Sequence, residues 1–345
     1  MNHKSRLEEL DALRGLAALA VVLYHYTIRY EELFGHAKTS YLSFTYGNLG
    51  VNLFFMISGF IIFMTITRTN HVKDFAKKRA LRLYPAYIVA VIITFISVKI
   101  YGLEGRDVSY FEGFFNLTML QGFIPGIKPV DGAYWSLVVE LTFYIMIGLV
   151  LFFGLKKHIF KLLIGCLVAS FFFQTLSTIT DEHIIAKALS FYSIDNYIHL
   201  FIAGIMFYLI REESKTRYYI LLVGCLMNQF LFNELIPSLI TTLFFIIFYL
   251  LINNKLKILK IKPLTYLGAI SYSWYLLHQN LGYIVIDIME RNGLVHEIFL
   301  VIPIFISIIL ATFLTYYVEK PIIKIFSKKM KRTAQSKEKL RKVLS

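Results

Sequence analysis

Apolar residues along this chain run in blocks of about twenty, the length at which a helix crosses the hydrocarbon core of a bilayer. Windows of that size predict about ten transmembrane helices, near 11–30, 47–67, 84–103, 133–154, 159–179, 197–212, 218–235, 237–253, 264–287 and 296–319. The sixth to eighth are short, and Pro237 marks a tight connection between the seventh and eighth. The polar segments between blocks are too short to fold alone. The pattern therefore predicts an all-α polytopic membrane protein, with one transmembrane domain over 1–325 and a basic tail over 326–345. The longest connection, 104–132, is punctuated by glycine and proline and reads as turns.

The distribution of charge orients the bundle. If the chain starts inside, the inner segments hold 28 Lys and Arg residues and the outer ones seven. Such a bias is the positive-inside signal and predicts that both termini are cytoplasmic. It also accounts for the net charge of +14. That charge reflects topology and contact with anionic lipid, not nucleic-acid binding. Composition agrees: 57% of residues are hydrophobic and only 17% charged, below the roughly 25% of soluble domains. Cys166 and Cys225 stand alone in apolar runs, so neither a disulfide framework nor a metal site is expected. Arg14 interrupts the first apolar run, so a retained first span is expected rather than a cleaved signal.

Ionisable residues inside the predicted spans point to a functional site, because hydrocarbon excludes them unless they face a polar interior. Arg14 and His25 are eleven positions apart on the first span. That spacing puts both on one helix face, about 16 Å apart along the axis. Arg79 and Arg82 share a face before the third span. Two guanidinium forks there suit phosphate oxygens, or equally lipid headgroups. Glu140, a turn and a half into the fourth span, is the deepest acid. It is a candidate for acid–base work or for orienting a histidine. His278 lies in the outer half of the ninth span, at a depth near that of His25. Glu319, at the inner edge of the tenth, is placed to pair with an inner-side arginine, and Pro321 follows it.

Together these clusters resemble the acyltransferase-3 family of integral membrane O-acyltransferases. The matching elements are Arg14 with His25; Phe54-Phe55-x-x-Ser58-Gly59-Phe60; Arg79-x-x-Arg82 before Tyr84-Pro85; Trp135-Ser136-Leu137-x-x-Glu140; Ser271-Tyr272-Ser273-x-Tyr275-Leu276-x-His278; and Glu319-x-Pro321. They occur in family order across nearly the whole chain. Some members carry a further C-terminal esterase-like domain, which is not expected here.

The resemblance implies transfer of an acyl group, most often acetyl, from cytoplasmic acyl-CoA to a hydroxyl of an extracytoplasmic glycan, in a bacterial inner membrane. Acetyl-CoA would be the donor, and no metal is implied. Arg14, Arg79 and Arg82 would hold the CoA phosphates at the inner face. The thin pantetheine arm would bring the thioester to His25, the expected general base. Glu140 or His278 would orient His25, and an acyl-histidine intermediate is an alternative course. The rival class is a transporter or exporter of a lipid-linked glycan. Such folds tend to show repeated, Gly/Pro-broken helices in matching halves, and no internal repeat is visible.

Overall fold

The computed structural model describes residues 7–38, 42–69, 71–179 and 194–327, and every regular element among them is helical. Helix α1 (Glu8–Tyr24) runs through a π turn (His25–Arg29) into α2 (Tyr30–Phe34). There follow α3 (Gly50–Ile66), α4 (Val72–Tyr101), the short α5 (Tyr110–Asn116), α6 (Trp135–Phe152) and α7 (Ile159–Ile179). Then come α8 (Ile194–Glu212), α9 (Thr216–Phe232), α10 (Leu235–Ile252), α11 (Lys262–Arg291) and α12 (Val301–Phe313), which ends in a second π turn (Leu314–Glu319). The expected tail lies outside the described residues from 328 on.

All ten predicted spans fold as helices. Seven helical stretches among the described residues are long and apolar enough to cross a membrane. Helices α1, α9 and α11 are not among those seven. Helix α9 has 17 residues, and α1 carries Glu8, Glu9, Asp11 and Arg14. Helix α11 holds Ser271, Ser273, His278, Gln279 and Asn280 in its middle, all buried in protein. A helix at the centre of a bundle need not be apolar, because neighbouring helices rather than lipid surround it.

Two differences from the sequence reading matter for the site. The inner segment before the third span, which the apolar windows leave outside any span, is already helix from Val72. Lys and Arg are good helix formers, so charge ends the apolar block without ending the helix. Arg79 and Arg82 therefore sit on a rigid element. The loop 104–132 contains α5, started by a reciprocal capping box in which Ser109 Oγ accepts from the Glu112 N–H and Glu112 accepts from the Ser109 N–H.

Glycine sets the closest helix approaches. A Cβ on Gly268 would lie 1.8 Å from Asp11 O, and one on Gly15 2.7 Å from Gly268 N. Further along, Tyr26 Oη donates to His278 O at 2.8 Å. Contacts advance together along both helices, so α1 and α11 are parallel, as the first and ninth spans must be. In the same way Gly59 meets the backbone of Phe201, and Phe60 reaches Tyr208. Thus α3 and α8 are parallel, as the second and sixth spans must be. Glu9 pairs with Lys260 and Arg82 with Glu319, which gathers the charged helix ends at one end of the bundle.

Candidate active site

Residues from α1, α3, α4, α6 and α11 enclose a cavity of about 110 Å³ at that end. Arg14, Arg79 and Arg82 line it together, with Ser58, Glu140, Tyr144 and Tyr272. Arg79 Nη2 donates to Thr65 Oγ1 at 3.2 Å, and its Nε has no hydrogen-bond partner among the described residues. Arg82 forms an ion pair with the buried Glu319 and lies 5.4 Å from the centre of the Tyr272 ring. Glu319, the last residue of the second π turn, also accepts from Ser273 Oγ at 3.3 Å. The expected pairing of Glu319 with an arginine is present. Three guanidinium groups facing one small chamber suit a ligand with several anionic oxygens.

Glu140 belongs to this chamber. It accepts from Ser58 Oγ at 2.8 Å and from Tyr144 Oη. Of the two groups expected to orient His25, the structure brings only His278 into contact with it. Glu140 lies among the arginines instead, about a turn and a half below the point where α6 passes the second cavity at Trp135. Span boundaries put Glu140 level with His278, but Tyr275 bonds Ala133 and Ser136, which leaves Glu140 deeper than His278 and nearer the arginine end.

The second cavity, about 810 Å³, opens toward the other end and is lined by His25. His25 begins the π turn of the first span, a local widening often found at functional positions. Its Nδ1 lies 2.8 Å from Val21 O and 3.2 Å from His278 Nε2. His278 is fully buried, and its own Nδ1 lies 2.8 Å from Tyr275 O. A carbonyl only accepts, so His278 carries its proton on Nδ1. In the neutral pair its Nε2 is then an acceptor, and His25 must donate from Nδ1. That leaves the lone pair on His25 Nε2, the tautomer a general base needs. Tyr275 and Val51 line both cavities and form the wall between them. Tyr275 Oη is fixed by Ala133 O at 2.8 Å and Ser136 Oγ at 2.7 Å.

Trp135 and Tyr197 form an aromatic wall of the second cavity, their ring centres 5.3 Å apart. Arg106, Gly132 and Gln279 line it too. None of the three stands out in the sequence as a site residue, although Gln279 and Asn280 directly after His278 are costly inside a span. Behind them Asp131 accepts from the Ala133 N–H at 2.9 Å and the Asn280 N–H at 3.1 Å. Burial pushes the Asp131 carboxyl up to about 6, against the pull of those N–H groups and of Arg106.

The sequence motifs thus line, or through Glu319 brace, two adjoining chambers, one holding three arginines and one holding His25. The profile of the acyltransferase-3 family, described as an acyltransferase domain, matches residues 7–318. The chain belongs to this family. Its long apolar helices mark it as an integral membrane member. Among its relatives is a protein of Acidianus two-tailed virus provisionally named an acetyltransferase, 25% identical over 80% of this chain and 83% of that protein. The O-acetyltransferase OatA of Staphylococcus aureus is 24% identical over 92% of this chain and 57% of its own length. The acyltransferase MdmB of Streptomyces mycarofaciens is 30% identical over 41% of this chain and 38% of its own. The acyltransferase chain thus spans well under two thirds of the latter two proteins. No solved structure matches it significantly.

Proposed function

We propose that this acyltransferase moves an acetyl group from cytoplasmic acetyl-CoA to a hydroxyl of a glycan on the far side of a bacterial inner membrane. The observation that carries the reading is the shared wall of Val51 and Tyr275, across which a three-arginine chamber adjoins the chamber of His25. The positive-inside bias supports a cytoplasmic position for the arginine end. The names of the staphylococcal and viral relatives support acetyl as the group transferred.

In this reading Arg14, Arg79 and Arg82 hold the CoA phosphates, where two anionic groups replace solvent around the guanidinium forks. The pantetheine arm passes the wall toward His25, a path of about 16 Å along α1. The acceptor hydroxyl enters the wide chamber. His25 Nε2 takes the hydroxyl proton as the oxygen attacks the thioester carbonyl. The C–S bond then breaks, and the departing sulfur takes the proton back from the imidazolium. One ester and one free thiol result, with no net proton gained by the protein. His278 holds His25 in the required tautomer and shares the charge during the step.

Purified protein in lipid vesicles should release CoA thiol from acetyl-CoA and pass label to an added glycan. Surface glycans of cells with and without the gene should differ by acetyl groups in mass spectra. Thiol release that persists at the normal rate in His25→Ala would refute the role of the imidazole. A carrier of lipid-linked glycan would show no thiol release at all.

A further inference from the structure

Beside His25 lies a second set of groups that the transfer step does not use. Gln279 is 3% exposed, lines the His25 chamber, and its Oε1 finds no hydrogen-bond donor among the described residues. Buried amide carbonyls are normally satisfied, so an orphan facing a cavity marks where a ligand or water belongs. Arg106 lines the same chamber, with its guanidinium 5.8 Å from the centre of the Tyr283 ring. It has no carboxylate within ion-pair distance among the described residues, Asp131 acting on it only at longer range. The two side chains converge over Gly132: a Cβ there would sit 3.2 Å from Arg106 Nη1, 3.2 Å from Gln279 Oε1 and 2.7 Å from Gln279 Nε2. Only a residue without a side chain leaves this corner open.

We propose that Arg106 and Gln279, over Gly132, form a subsite for a second hydroxyl of the acceptor, next to the one acylated, so that the enzyme takes a neutral diol-bearing sugar in preference to an anionic one. Guanidinium nitrogens only donate, and the orphan Oε1 only accepts. A hydroxyl serves both, accepting from Arg106 and donating to Gln279. A carboxylate or phosphate could accept from Arg106 and from Gln279 Nε2, but it would leave Oε1 without the donor that a hydroxyl supplies. The ring carrying both hydroxyls then lies within reach of the Trp135 and Tyr197 wall. This assignment rests on the second chamber being the acceptor side.

The test reads binding, not turnover. Methyl glycosides of glucose, galactose, mannose and N-acetylglucosamine, their monodeoxy analogues and methyl glucuronide are titrated into the detergent-purified full chain, and the melting temperature is followed. At least one neutral glycoside should bind, and one of its monodeoxy analogues should bind roughly tenfold or more weakly, as a site built around a hydroxyl rejects its absence. In Gln279→Leu that gap should close. The glucuronide should bind more weakly than glucoside. A ligand-free melt within a few degrees of wild type shows that the variant is folded. Tighter binding of the glucuronide, a gap that survives in Gln279→Leu, or no binding by any neutral glycoside would overturn the subsite. Thiol release from acetyl-CoA, measured separately, tests the transfer reading itself, so the two failures are distinguishable.

Discussion

His278 Nε2 lies 3.2 Å from His25 Nδ1, with the two rings crossed at 76°. The contact joins residues 253 positions apart and, together with Val21 O, keeps the His25 proton on Nδ1 and the lone pair on Nε2. Replacing His25 with Ala should lower transfer by about 10²–10⁴-fold, the usual worth of a positioned general base. His278→Ala should lower kcat by on the order of tenfold to a hundredfold, because the base keeps Val21 O as a partner but loses half of its orientation. The acyl-CoA KM should hardly move in either variant. Steady-state thiol release separates the two effects. Equal rates for wild type and His278→Ala would show that Val21 alone suffices.

The arginine chamber predicts the opposite kinetic signature. Arg79→Ala removes a guanidinium whose Nε is still without a partner. A charge-assisted bond to phosphate contributes roughly 1.5–3 kcal/mol, so the acyl-CoA KM should rise about tenfold to a hundredfold with kcat little changed. Arg79→Lys should recover only part of this, since an ammonium lacks the planar fork. An unchanged KM in Arg79→Ala would move CoA binding elsewhere.

Arg82 has two tasks, which a double-mutant cycle can separate. Its partner Glu319 is buried, while Arg82 itself keeps contact with solvent, with side-chain exposures of 3% and 31%. Partial exposure reduces the cost of breaking the pair below the several kcal/mol of a fully buried one. Glu319→Gln should thus lower stability by about 1–2 kcal/mol and raise the acyl-CoA KM as Arg82 loses its anchor. Combined with Arg82→Ala it should add little to either effect, because both changes break one contact. Additive losses would mean that the pair is not a unit.

The helices were legible in the sequence because lipid forces each span to satisfy its own backbone bonds, so length and apolarity mark it. The parallel course of α1 and α11 follows from span counting. At the arginine end the spacing of Arg79 and Arg82 put both on one helix face, but it left phosphate and lipid headgroups equally open as partners. Which faces meet was not legible. Span boundaries put Glu140 and His278 at similar depths, yet Tyr275 meets Ala133 and Ser136, so Glu140 sits deeper, among the arginines, and only His278 meets His25. No periodicity within one helix encodes its register or rotation against another. Helix α5 announces itself by Ser109 and Glu112, a signal hidden among the glycines around it. Arg106 counts as one outer cation in the charge bias, and only the fold brings it over Gly132 beside Gln279.

The α1–α11 seam gives the sharpest test of the packing. A Cβ at Gly268 would lie 1.8 Å from Asp11 O and 2.4 Å from Asp11 C. These are backbone atoms of a packed helix, which cannot turn aside as a side chain can. Gly268→Ala must therefore push the helices apart, costing about 1–3 kcal/mol or more by overpacking. The same displacement would lengthen the His25–His278 contact ten residues further along, so kcat should fall together with the melting temperature. Gly165 in α7 is the control, since a Cβ there meets nothing within 4 Å. Gly165→Ala should leave activity intact and raise stability by up to about 1 kcal/mol through helix propensity alone. If Gly268→Ala melted and turned over like Gly165→Ala, the close approach of α1 to α11 would be wrong, and with it the placement of the two histidines.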